Sequence, residues 1–239
     1  MVSLVRKDAS IIDLFWSLTF IVAAVVYAIS TTAEEGGRTT LMLALVTVWG
    51  LRLSGYLTWR NWGEPEDYRY QRMRERGGPS WPYKSLLTVF WGQAVLAWIV
   101  SAPLLAGADG RTDVGVLAYL GIATWAIGIF FEAVGDWQLS VFKQDPVNAG
   151  KVLDEGLWRY TRHPNYFGDF MVWWGLFLIA ADAGGWWSFY GPVAMSVLLI
   201  RVSGVTLLER KLSKTRAGYE QYVQTTNTFF PGPKRATRD

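Results

Sequence analysis

The 239-residue sequence contains no cysteine and a single histidine, His163. The first absence removes disulfides, thiolate nucleophiles and zinc–thiolate centres. One histidine cannot build an imidazole-rich metal site, and the acid pairs here have basic neighbours, so no metal is expected. There is no Gly-x-Ser-x-Gly elbow for a serine hydrolase and no Gly-x-Gly-x-x-Gly fingerprint for a Rossmann nucleotide domain. Charge is also scarce: 18% of residues are Asp, Glu, Lys or Arg, below the roughly 25% of soluble domains. The net charge of +3 is small and clustered in loops, which fits a membrane topology bias better than a nucleic-acid surface.

What is abundant is apolar and aromatic: 51% of residues are hydrophobic, and 14 are Trp. Six apolar runs lie near residues 10–29, 40–58, 85–106, 115–136, 165–182 and 187–208. At about 20 residues each, they are long enough to cross a bilayer as helices. The expected architecture is an all-α integral membrane protein, one bundle of about six transmembrane helices over residues 1–239. The first run lacks a small-residue cleavage site and reads as a signal anchor.

Basic residues set the orientation. Arg6 and Lys7 precede the first run. Arg60, Arg69, Arg72, Arg74, Arg76 and Lys84 fall in loop 59–84, and Lys143, Lys151, Arg159 and Arg162 in loop 137–164. Arg210, Lys211, Lys214, Arg216, Lys234, Arg235 and Arg238 occupy the tail 209–239, whereas the other loops hold only Arg38 and Arg111. The positive-inside bias therefore puts both termini, both long loops and the tail in the cytoplasm.

Polar residues near the spans pair at i,i+4, which sets each pair on one helix face. The pairs are Arg52 with Tyr56, Glu132 with Asp136, and Asn165 with Asp169. Asp13 and Arg201 lie near the cytoplasmic ends of the first and sixth runs. Charges of both signs at one depth point to a shared polar cavity, because each costs roughly 2.5–3.5 kcal/mol at a helix centre. Snorkelling anchors and interhelical pairs are the competing explanation. Arg162-His163 stands before a Pro-led helix start, with Lys143, Lys151 and Arg159 nearby. That combination suits a pyrophosphate, and equally an anchor on lipid phosphates. The charged stretch 63–76, with Tyr68-Arg69-Tyr70 at its centre, fits a solvated loop, a lid or a nucleotide contact.

The segment Phe131-Glu132-x3-Asp136-x-Gln138-x3-Phe142-Lys143, then Asn148-x-Gly150-Lys151, then Gly156 to Asp169 with Arg162-His163-Pro164-Asn165-Tyr166, resembles the C-terminal domain of the steroid 5-alpha-reductase family. More narrowly it is similar to that family's bacterial branch, a domain of unknown function. The Glu66-Asp67-Tyr68-Arg69-Tyr70 loop and the Leu208-Glu209-Arg210-Lys211 … Tyr219-x2-Tyr222 … Phe229-Phe230-Pro231 tail share the likeness.

The resemblance implies an enzyme of a bacterial cell membrane that binds NADPH from the cytoplasmic side. Such an enzyme reduces a carbon–carbon double bond conjugated to a carbonyl in a lipid-like substrate entering from the bilayer. It implies cofactor contacts at Arg52, Tyr56, Glu132, Asp136, Lys143, Lys151, Tyr160, Arg162, His163, Asn165 and Asp169. Glu132 falls where steroid reductases typically carry Asn, and Asp169 where they carry Glu. Their carbonyl-gripping Gln-Glu pair has no clear copy; Asp13 is the nearest candidate for the catalytic acid, with Trp16 and Trp49 lining the substrate pocket. An S-adenosylmethionine-dependent membrane methyltransferase is the alternative, since such enzymes share Arg-His-Pro-x-Tyr. A lipid- or sterol-binding protein without catalysis is the third reading.

Overall fold

The computed structural model describes residues 8–31, 37–109, 113–202 and 204–236, together with Ser3 and Arg6. Lys7, Arg111 and Arg238, counted above for topology, lie outside the described residues. The described residues are helical, with no strand. The elements are α1 (Ile11–Ser30), α2 (Gly37–Asn61), the helical run α3 (Tyr68–Val100) and the short α4 (Ala102–Ala108). They continue with α5 (Val116–Gln144), α6 (Pro164–Asp182), α7 (Tyr190–Val197), α8 (Val205–Thr215) and α9 (Tyr219–Thr225).

Among the described residues, five helical runs are long and apolar enough to cross a membrane: Ile11–Ser30, Gly37–Asn61, Tyr68–Val100, Val116–Gln144 and Trp186–Thr215. The chain is thus an all-helical integral membrane protein. The remaining expected span, α6, forms over 19 residues but is not among the five. Asn165, Asp169 and Asp182 lower its hydropathy, and 11 of its residues are buried by protein. A helix shielded this way needs less apolar surface of its own.

The chain folds as two compact units, residues 1–114 with 183–190, and 115–182 with 191–239. In the first, α1 and α2 pack side by side and share hydrogen bonds that a dry interface favours. Ser17 Oγ donates to the Gly50 carbonyl at 2.8 Å, and Ser54 Oγ to the Leu14 carbonyl at 2.8 Å. The expected loop 59–84 is largely helix. Asp67 caps Tyr68–Gly77 by accepting from Arg69 N at 2.9 Å, which satisfies a free amide of the first turn.

In the second unit α5 and α6 form an antiparallel pair. The buried positions of α5 are Ala118, Gly121, Trp125, Gly128, Glu132, Gly135 and Asp136, a three-four alternation that draws one seam along the helix. Across it stand Gly168 and Gly175 of α6. A Cβ on Gly121 would lie 2.7 Å from the Gly175 carbonyl oxygen, and one on Gly128 would lie 2.6 Å from Val172 N. Only hydrogen fits at such spacing, and close backbone approach is what holds helices together in lipid. At one end of the seam Gly115 N donates to Asp182 Oδ2 at 2.8 Å; at the other, Asn165 Nδ2 donates to Asp136 Oδ1 at 3.0 Å.

Tyr119 and Trp137, both 63% exposed on α5, stand 18 residues or about 27 Å apart along the axis. Aromatic side chains collect at both membrane borders, and the hydrocarbon core is about 30 Å thick. The separation of these two residues matches that thickness. α6 runs beside α5 along the same seam from Gly175 to Asn165.

Candidate functional site

Beyond Trp137 the second unit builds a cavity of about 180 Å³. Its floor is the end of α5, where Leu139, Phe142 and Lys143 face it. The chain then folds back through residues 145–155. Asp145 accepts from Val147 N at 2.9 Å and so caps a short turn, Pro146–Asn148. Asn148 Nδ2 in turn donates to the Phe142 carbonyl at 3.1 Å, closing the end of α5. Gly150 takes a φ of 80° that lets the loop reverse. Gly156, at φ 58°, lies against the Gln138 amide, whose Oε1 accepts from Leu157 N at 3.0 Å. This turn seats Trp158, whose indole N–H donates to the Gly135 carbonyl at 3.1 Å.

The other wall comes from the C-terminal segment, through Leu212, Arg216, Tyr219 and Tyr222. Arg162 fixes that segment. It is 5% exposed, and its Nε donates to Glu209 Oε1 at 2.7 Å. Its Nη1 donates to the carbonyls of Val223 (3.0 Å) and Thr226 (2.6 Å), and Nη2 to Thr228 Oγ1 (2.8 Å). Val223 lies in the last turn of α9 and Thr226 is the residue that follows it, so Arg162 acts as its C-terminal cap. Thr161 Oγ1 donates to the Phe229 carbonyl at 2.8 Å, Gly232 N to the Tyr160 carbonyl at 3.0 Å, and Tyr222 Oη to the Trp158 carbonyl at 2.5 Å. Phe229 and Phe230 pack edge-on against Phe167 and Phe170.

Four cations, Lys143, Lys151, Arg162 and Arg216, line this cavity with one acid, Asp145; most of the remaining lining is apolar or aromatic. Burial pushes the Tyr219 hydroxyl up to about 12, with the Glu209 charge adding to it, and burial pushes Tyr222 up as well. Both stay protonated and neutral at physiological pH. His163 is buried beside Glu209, at 3.3 Å from Nε2 to Oε1. Burial pulls its pKa below the ordinary value, and the bond to Glu209 only partly opposes that.

The structure thus brings Lys143, Lys151 and Arg162 to one cavity. Glu132 (2% exposed) and Asp136 (3%) lie instead on the α5–α6 seam, with Asn165 bonded to Asp136 and Asp169 half-buried on α6. Tyr160 is exposed and uses its carbonyl to hold Gly232. In the first unit, Arg52 and Arg60 flank the Tyr56 ring at 5.4 and 5.6 Å. Trp49 is fully buried, and it and Trp16 both pack on Phe20.

Asp13 sits in a polar cluster of the first unit. Arg69 Nη2 lies 3.1 Å from its Oδ2, while Tyr70 Oη donates to Oδ1 at 2.6 Å and Gln93 Nε2 at 3.2 Å. Gln93 Nε2 also donates to Tyr70 Oη at 3.1 Å. As the carboxylate of an ion pair Asp13 is an acceptor, and the hydroxyl proton of the group is on Tyr70. Sequence reasoning left out Tyr70, Gln93 and Arg216 as site residues. Glu209 it had noted only as part of the tail. The one available signal was the Tyr68-Arg69-Tyr70 core; Gln93 lies in an apolar run with nothing local to mark it.

Comparison with known proteins adds the following. The chain is 26% identical over 266 aligned positions to an uncharacterized protein of Schizosaccharomyces pombe, a match covering 96% of this chain and 74% of that one. Over 66 positions it is 36% identical to a protein of Ustilaginoidea virens described as "Probable O-methyltransferase ustE", which takes in 28% of this chain and 23% of that one. No solved structure matches. The family profile described as "Protein of unknown function (DUF1295)" matches residues 1–226, and the chain belongs to that family.

Proposed function

We propose that this protein is an NADPH-dependent reductase of a carbon–carbon double bond conjugated to a carbonyl in a lipid-like substrate. The observation that carries the reading is the cavity of the second unit, where an apolar and aromatic lining adjoins Lys143, Lys151 and Arg216. That donor set fits a dinucleotide: Leu139, Phe142 and Trp158 suit a planar base, and the cations suit a pyrophosphate. NADPH, when bound, supplies a hydride. The protein's own part is to bind, orient and keep water out. In the first unit, the Asp13–Tyr70–Gln93 cluster offers a hydroxyl and an amide N–H that Asp13 holds in place. A substrate carbonyl polarised there would take over the hydrogen bond that Tyr70 Oη now gives Asp13, while Asp13 keeps those from Arg69 and Gln93. By the positive-inside bias the cavity faces the cytoplasm, and the setting is a bacterial inner membrane.

The partial similarity to the O-methyltransferase favours a second reading, S-adenosylmethionine-dependent methyl transfer. Charge speaks against it, because four cations facing one acid would repel a sulfonium of net positive charge. Thermal shift of the purified protein in detergent decides between the two. NADPH is expected to raise the melting temperature and S-adenosylmethionine to leave it unchanged. The reverse pattern would replace the reductase by the methyltransferase, and no shift with either would leave the lipid-binding reading.

A further inference from the structure

A second, more open pocket of about 430 Å³ adjoins the cavity. Val152 and Tyr222 line both, so the two spaces share these two residues as a common border. The outer pocket is the more polar, and its cations are Lys234 and Arg235 at the end of the C-terminal segment, facing a single acid, Asp154. Both cations are held in position. Arg235 N donates to the Thr225 carbonyl at 2.8 Å, and its Nη2 to Asn227 Oδ1 at 2.7 Å. Lys234 Nζ pairs with Asp154 Oδ2 at 2.8 Å across the pocket. Neither residue belongs to a helix, and neither has a part in the hydrogen bonds of Arg162 that fix the segment.

We propose that Lys234 and Arg235 bind a phosphate monoester of the ligand whose ring and pyrophosphate occupy the inner cavity. They thereby set a preference for the 2′-phosphorylated dinucleotide. The inference rests on the nucleotide reading above and goes beyond it by assigning the residues of selectivity. Charge accounting leads to it. A pyrophosphate carries about two negative charges, which Lys151 and Arg216 balance, while the guanidinium of Arg162 is already committed to Glu209, Val223, Thr226 and Thr228. A monoester adds close to two more and requires cations of its own within reach of the first group. The outer pocket supplies two beside that common border. Arg235 can meet such a group with paired N–H donors, and a dianion competes for Lys234 against the single charge of Asp154.

The test measures dissociation constants by calorimetry on the full-length protein in detergent, for NADPH and NADH, in the wild type and in the double variant Lys234→Ala, Arg235→Ala. Both side chains lie at the surface, so the melting temperature without ligand serves as the folding control. If the double variant fails it, Lys234→Gln alone replaces it. The wild type is expected to prefer NADPH. The variant is expected to weaken NADPH at least about tenfold and to leave NADH within about twofold. The pair Lys234→Arg, Arg235→Lys should keep the preference, and 2′,5′-ADP should compete better than 5′-AMP with the wild type only. Equal weakening of both dinucleotides, or of neither, would overturn this assignment while leaving the nucleotide reading intact. The same holds if the variant changes only retention of anionic lipid in nanodiscs, since the phosphate recognised would then be a headgroup. A wild type that binds no dinucleotide would overturn both.

Discussion

Arg162 and His163 show how one motif can divide its labour. The arginine points its donors at the C-terminal segment and so builds a wall of the cavity, while the histidine is buried neutral against Glu209. A histidine whose folded pKa lies below its unfolded value binds fewer protons folded than unfolded as pH falls. Stability is then complete above the unfolded value of about 6.5 and is lost progressively below it. His163 is the only histidine, and Glu209 and Arg162 are the charged groups acting on it. Melting temperature should therefore decline from pH 7 to pH 5.5 in the wild type, and His163→Gln should flatten that decline. An unchanged slope in the variant would move the effect to carboxylates.

Tyr70 carries the second prediction at this scale. Its ring packs with Ala9, Trp81 and Val89, so Tyr70→Phe keeps the packing and removes only the hydroxyl. If that hydroxyl or its hydrogen-bonded neighbours polarise the substrate carbonyl, turnover should fall about 10²–10³-fold, with NADPH affinity within about twofold. Steady-state rates with an added enone lipid, alongside binding measurements, check it. Equal losses in rate and NADPH affinity would place Tyr70 in the fold and not in the chemistry.

Among elements, the α5–α6 pair stands out because glycines at heptad spacing let two backbones touch. Gly168 sits where a Cβ would lie 2.6 Å from the Gly128 carbonyl oxygen and 2.7 Å from Glu132 Cβ. Backbone on one side cannot yield, so Gly168→Ala should destabilise by about 1–3 kcal/mol or more. Gly55, on the exposed face of α2, meets nothing within 4 Å. There alanine should be neutral or stabilising, since glycine costs about 1 kcal/mol against alanine inside a helix. Thermal unfolding of both variants in one detergent compares them directly. The seam was open to reading from residues 121, 128 and 135 with 168 and 175. Glycine at these positions does not by itself say which two helices meet, because the partner lies about 40 residues away in the chain. Glu132 and Asp136 are buried on this seam, so two positions assigned to cofactor on sequence grounds also serve helix packing.

For the whole molecule the prediction is topological. Among the described residues five runs meet the length and apolarity of a span, and α6, which runs beside α5, is counted as the sixth. Six crossings bring both termini to one side, and the basic loops make that side the cytoplasm. Reporter fusions at each end should both read cytoplasmic; opposite readings would mean that α6 does not cross.

The sequence by itself determined the helical membrane class and the approximate position of each span, because long apolar runs in lipid have no other way to satisfy their backbone. It also brought out Lys143, Lys151 and Arg162, since charge density survives in a linear reading. Tertiary structure alone decided what those charges face. Arg162 is directed by carbonyls more than 60 positions later, and Tyr70, Gln93 and Asp13 meet only when three distant segments fold together. It also decided that α6, with its acids, packs along α5, where Asn165 bonds to Asp136 and 11 residues of α6 are buried by protein. Contacts between residues far apart in the chain leave no local pattern, and that is the physical reason the site was only half visible before the fold.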